Sequence, residues 1–199
     1  MAKLVMQDIA DLRAYERERE QFRTHVIALK KRRRVHVGPV VTFVFENRDT
    51  VRFQIQEMAR VEKLLSDAAI QTELDVYNPL IPEPGELAAT LFIELTSPDA
   101  LEDWLPRLVG IEHAPSLRIG EGDDAVAVRC TVDADHEAQL TRDAITASVH
   151  YVHWHLTPDQ VDAFAVGPVT LVVDHPAYPH EERLGEATVT ELLQDLRGA

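Results

Sequence analysis

The feature that most constrains this chain is the proline-rich stretch 79–85, Pro79-Leu80-Ile81-Pro82-Glu83-Pro84-Gly85. Proline cannot continue a helix, because it lacks the backbone N–H and its ring clashes with the preceding turn. Before this stretch, apolar residues recur mainly at helical spacing; after it, strand-like runs dominate. The chain therefore reads as α+β, a helical N-terminal part packed on a mostly antiparallel, strand-rich C-terminal part. At 199 residues it is expected to be a single domain, 1–199. Its natural subdivision is 1–84, mainly helical, and 85–199, strand-rich.

The first expected helix covers residues 7–31, with Leu12, Tyr15, Phe22, Val26 and Leu29 as its apolar stripe. Residues 35–45 are β-branched and aromatic, which suits one strand or a pair broken at Gly38-Pro39. Asn47 or Asp49 can cap the helix that follows. That helix would gather Val51, Ile55, Met58, Val61, Leu64 and Leu65 on one face, with Gln54 inside it and Glu57 on its flank. A further helix is expected from Ser66-Asp67 to about Asn78, carrying Glu73 beside Ile70, Leu74 and Tyr77. Beyond the prolines, strands are expected at 87–95, 116–119, 125–132, 149–156 and 169–173. Short helices should start at Pro98 and after Thr157, and a last one should cover 188–196.

Charge is unevenly divided. Residues 1–63 hold 14 of the 20 Lys and Arg against nine acids, while the other 136 residues hold six bases and 25 acids. An acidic body repels nucleic acid and anionic lipid except through the N-terminal part. The run Lys30-Lys31-Arg32-Arg33-Arg34 has no interleaved aromatics and no recognition helix after it, which disfavours nucleic acid. It suits a helix end, where cations meet the negative end of the dipole. It also suits docking on an acidic protein, either the chain's own C-terminal part or a partner. No run approaches a membrane span, and charge comes too early near the N-terminus for a signal peptide. A single cysteine, Cys130, excludes a disulfide within the chain and any Cys-rich metal site. A cytoplasmic protein is the expectation.

Two groups of side chains are candidate sites. The first is Glu46, Asn47, Arg48, Gln54, Glu57, Glu73 and Asn78, proposed to bind a ligand or a partner. Two helices that each carry a carboxylate on an apolar face could bring Glu57 and Glu73 together, with Arg48 or Arg60 between them. The second is the strand His150-Tyr151-Val152-His153-Trp154-His155. Alternation places His153 and His155 on one face, where with His175, or else His180, as a third ligand they form the weaker candidate for a metal. No phosphate loop, dinucleotide fingerprint or nucleophile elbow is present, so no catalytic residue is assigned and no cofactor is expected beyond that metal.

Several segments together resemble a known bacterial family that carries a placeholder name, domain of unknown function family 3501. They are Val26-Ile27-Ala28-Leu29-Lys30-Lys31-Arg32-Arg33-Arg34, Phe45-Glu46-Asn47-Arg48-Asp49-Thr50-Val51 and Gln54-Ile55-Gln56-Glu57-Met58. The match continues through Glu73-Leu74, Tyr77-Asn78, Pro84-Gly85-Glu86-Leu87-Ala88-Ala89-Thr90-Leu91 and Asp174-His175-Pro176-Ala177-Tyr178. The resemblance implies no established activity. Such proteins are often encoded beside rubrerythrin-like proteins and an iron–sulfur oxidoreductase, which implies a redox or peroxide-stress setting. It points to an accessory or interaction protein with an acidic or redox protein partner. The alternative is a metal-dependent enzyme with a carboxylate or histidine site. The polar residues after Phe45 belong to the family pattern, and the pair His153/His155 does not. The sequence sets no oligomeric state.

Overall fold

The structure is a computed structural model that describes residues 2–132 and 145–198. The first long helix, α1 (Leu12–Arg33), starts where the Asp11 side chain accepts from the Ala14 N–H (2.9 Å). It begins later than the apolar spacing suggested, because residues 6–8 form a separate 3₁₀ turn. The chain then folds back as a hairpin of β1 (Arg34–Val37) and β2 (Val41–Phe45). Two helices follow, α2 (Arg48–Glu62) and α3 (Asp67–Tyr77), the latter capped by Ser66.

Past the prolines come β3 (Glu86–Ile93), α4 (Pro98–Arg107), β4 (Pro115–Ile119), β5 (Val126–Arg129) and β6 (Thr131–Val132). Next are β7 (Val149–His155), α5 (Pro158–Val166), β8 (Val169–His175), β9 (Tyr178–Arg183) and α6 (Glu186–Leu196). All described strand pairs are antiparallel. One sheet has the order β1-β2-β3-β7-β6 and the other β5-β4-β8-β9. The first sheet joins strands from both sides of the proline stretch.

The expected strand 125–132 is divided in two. β5 pairs with β4 in the second sheet, whereas β6 pairs with β7 in the first. Cys130 sits at the crossing, its N–H donating to Pro115 O (3.0 Å) and its thiol to Glu112 O (3.3 Å). β9 has no counterpart in the sequence reading. It is an edge strand in which only Tyr178 is buried, so it shows no apolar alternation.

The main core lies between the two sheets, where Phe43, Phe45, Leu91 and Trp154 meet Leu117 and Leu171. β3 is buried along nearly its whole length, because helices cover its other face. A second cluster under those helices contains Leu4, Val51, Ile55, Leu74, Leu80 and Ile81. Complete burial of Ile55 alone is worth about 1.5–3 kcal/mol. The apolar face expected on α2 holds only in part. Val61 and Leu65 are 67% and 83% exposed, since the helix stops at Glu62 and Lys63 turns left-handed (φ 56°).

The sheets are also joined by one hydroxyl. Tyr178 Oη donates to Val37 O (2.7 Å) and accepts from the N–H groups of Val40 (2.9 Å) and Val41 (3.1 Å). It thereby closes the β1–β2 turn, where Gly38 takes a φ of 69°. Among the described residues no helix is long and apolar enough to cross a membrane.

Candidate functional site

The strand-to-helix junction after Phe45 is built by local hydrogen bonds. Asn47 Oδ1 accepts from the N–H groups of Asp49 (3.1 Å) and Thr50 (3.0 Å), while Thr50 Oγ1 accepts from the Asn47 N–H (2.9 Å). Asn47, rather than Asp49, is the cap, and the exchange forms a capping box. This reciprocal lock holds Glu46 at the base of α2, 7% exposed, with its Oε1 accepting from Thr90 Oγ1 (2.7 Å). Among the described residues that is the one hydrogen bond to this carboxylate.

The remaining sequence candidates separate. Arg48 pairs with Asp8 (2.6 Å), whose carboxyl is held below its usual range by the Val5 N–H and then by Arg48. Glu57 faces α1, not Glu73. Arg19 grips it bidentately (Nε to Oε1 2.8 Å, Nη2 to Oε2 2.9 Å), and the buried Tyr15 hydroxyl donates to Oε1 (2.7 Å). Led by the Arg19 hydrogen bond, these partners lower the Glu57 carboxyl to about 2. Glu73 is raised instead, by burial and by Glu62. The expected convergence of Glu57, Glu73 and Arg48 is therefore corrected, because each has a different neighbour.

The glutamines exchange roles. The fully buried one is Gln56, whose Oε1 accepts from the Ala10 N–H (2.7 Å) and whose Nε2 donates to Ala10 O (3.1 Å). Gln54 is only partly buried and lines a cavity. Asn78 forms a similar two-way pair with the backbone of Leu4 (2.8 and 2.9 Å), fastening the N-terminal segment to the end of α3.

The cavity, about 260 Å³, lies between the helices and the helix-facing side of the first sheet. Glu46, Gln54, Tyr77, Thr90 and Tyr151 supply its polar groups, and Lys30 of α1 also lines it. Val51, Leu80, Phe92 and Val149 supply apolar wall. Sheet register explains the floor, since Thr90 lies opposite Tyr151 and Phe92 opposite Val149. The Tyr151 phenol is pushed up to about 12, first by burial and then by Tyr77 and Glu46, so it stays protonated at neutral pH.

The histidines are spread over both sheets. His155 Nδ1 lies 3.0 Å from Glu86, and His153 neighbours it on the same face of β7. His175 is on β8 of the other sheet, its Nε2 3.1 Å from Val109 O. The buried His150, on the opposite face of β7, meets Thr146 Oγ1 (2.8 Å). Among the described residues no three His, Cys, Asp or Glu side chains form a group able to hold a metal ion.

The model of the family described as protein of unknown function (DUF3501) matches residues 3–196. The chain belongs to this family. A similar solved structure is a crystal structure of a novel protein of unknown function from Burkholderia pseudomallei, 36% identical. The alignment covers 98% of this chain and 100% of that one, with a TM-score of 0.89. No curated protein matches it. Kinship in DUF3501 fixes no reaction, so function must be argued from the side chains.

Two residues of the basic run, Arg32 and Arg33, dock on the chain's own C-terminal helix. Arg33, 1% exposed, binds Asp195 (2.6 and 2.9 Å) and Glu191 (3.1 and 3.2 Å), and Arg32 binds Glu191 (2.8 Å). Burial pushes the Asp195 carboxyl up against the pull of Arg33. Arg34 reaches Glu94 (3.1 Å). Lys30 and Lys31 form no ion pair with any described residue. They face an open concavity with Arg34, His36 and Ile27, the last 43% exposed. Sequence reasoning missed Thr90, Tyr77 and Tyr151 as pocket residues. Alternation could have placed Tyr151 on the face of His153, but only the strand register brings it to Glu46.

Proposed function

We propose that this chain is an accessory protein that docks an acidic protein partner through the patch formed by Ile27, Lys30, Lys31 and His36. The observation that carries the reading is the division within the basic run. Arg32, Arg33 and Arg34 are engaged by the chain's own acids, while Lys30 and Lys31 are left to a concave surface with an exposed apolar residue. An apolar centre rimmed by one sign of charge suits an oppositely charged partner and accelerates encounter. In the setting that the family resemblance implies, that partner is a redox protein, an iron–sulfur oxidoreductase or a rubrerythrin-like protein. A metal-dependent enzyme draws less support, since Glu57 is already gripped by Arg19 and Tyr15.

The test titrates a purified rubrerythrin-like or iron–sulfur protein from the same genome against the chain at low and high salt. Binding should weaken steeply with salt and be lost in Lys31→Glu, while Arg129→Glu, on β5 at the far edge of the second sheet, leaves it unchanged. Binding that ignores both salt and Lys31→Glu would refute the reading.

A further inference from the structure

Glu46 presents a specific electrostatic problem. Its side chain is 7% exposed and receives one hydroxyl hydrogen bond from a described residue. A buried carboxylate without a countercharge is costly. Arg33, the buried cation closest in sequence, does not supply one. Its guanidinium is directed at Asp195 and Glu191, and it reaches Glu46 only through the backbone carbonyl at 3.4 Å.

The cation that shares the cavity is Lys30, yet it lies beyond ion-pair distance of Glu46 and of every other described acid. One cavity is thus lined by an anion and a cation that do not neutralise each other. Apart from Gln54 and Thr90, its remaining wall is apolar or phenolic, with Val51, Phe92, Tyr77 and Tyr151 among the lining residues. Phenol and phenyl rings favour an ammonium by cation–π attraction. Protonated tyrosine hydroxyls can also donate to, or accept from, a polar ligand. An apolar cavity of roughly 150 Å³ takes up benzene. At about 260 Å³ this one holds a molecule of roughly a dozen non-hydrogen atoms.

We infer that the cavity binds a small zwitterion of the hydrophobic amino-acid type, its ammonium against Glu46, its carboxylate towards Lys30 and its side chain on the apolar wall. Each end of such a ligand supplies the countercharge that one lining residue lacks, and its body matches the cavity in size and polarity. This site shares Lys30 with the edge of the docking patch, but Glu46 and the apolar wall belong to the cavity alone, and binding there does not depend on a protein partner.

Isothermal titration of the full chain with L-phenylalanine and L-leucine tests the inference. 2-Phenylethylamine serves as the amine-only probe and 3-phenylpropionate as the acid-only probe. At least one amino acid should bind saturably, and removal of either charge should weaken binding about tenfold or more, the scale of one charge-assisted hydrogen bond. Glu46→Gln should erase the preference for phenylalanine over phenylpropionate. Lys30→Met, at the rim, should erase the preference over phenylethylamine and serves as the independent check if Glu46→Gln does not fold. Absence of saturable binding by either amino acid at millimolar concentration would overturn the inference. So would binding unchanged in both variants. Because Lys31→Glu tests docking and Glu46→Gln tests the cavity, the two readings can fail separately.

Discussion

Replacing Glu57 by Gln probes the strongest polar contact between α1 and α2. Its carboxyl titrates at about 2, against 4.5 without neighbours. One pKa unit is worth about 1.4 kcal/mol, so the shift sets an upper bound of roughly 3 kcal/mol. Arg19 and Glu57 are 27% and 22% exposed, and solvent screening lowers the expected loss in Glu57→Gln to about 1–2 kcal/mol. The pH dependence has a definite sign. Because the folded-state value is depressed, the unfolded chain takes up a proton first as pH falls. The stabilisation is therefore complete above about pH 5 and disappears as pH drops through 4.5 towards 2. Urea unfolding of both proteins at pH 7, 4 and 2.5 should show a gap that narrows at each step. A gap that is constant with pH would refute the ionic account and leave only lost packing. No gap at pH 7 would mean that the Arg19 grip contributes nothing measurable.

Three further outcomes follow from the geometry. Arg33→Met strands Asp195 and should cost about 3–5 kcal/mol in urea unfolding, with much of it recovered when Asp195→Leu is added. Gly38→Ala should cost more than about 1–2 kcal/mol by thermal melting, because a Cβ there would lie 2.6 Å from Tyr178 Oη and the His180 ring at a φ of 69°. Cys130, pushed up to about 12 chiefly by burial, should resist iodoacetamide at pH 8 in the folded protein and react once unfolded.

Much of the fold was legible because it depends on local rules. The N-terminal part is mainly helical, although β1 and β2 also precede the prolines; Asn47 does cap α2, and α3 does start at Ser66-Asp67. What escaped depends on contacts distant in sequence. A helical wheel for α2 favours Gln54 as the buried amide. Gln56 is buried instead because the backbone of Ala10, 46 residues away, provides its matching donor and acceptor. Likewise, two carboxylates on successive helices suggested a shared site, yet α1 supplies Glu57 with Arg19 and Tyr15. The basic run had two readings, and its own C-terminal acids now account for Arg32 and Arg33. The cavity around Glu46 could not be drawn at all without the pairing of β3 with β7. Within it, only Glu46 and Gln54 come from the original set of candidates.

The burial of Arg33 also has a timetable. Its acids lie 158 and 162 residues further along the chain. At roughly 5–20 residues per second of synthesis, they follow it by roughly 8–32 s. Throughout that interval the end of α1 carries a guanidinium without its acids, which is costly to desolvate. A ribosome stalled before codon 191 should display that end of α1 to protease or chaperone, and release should close it.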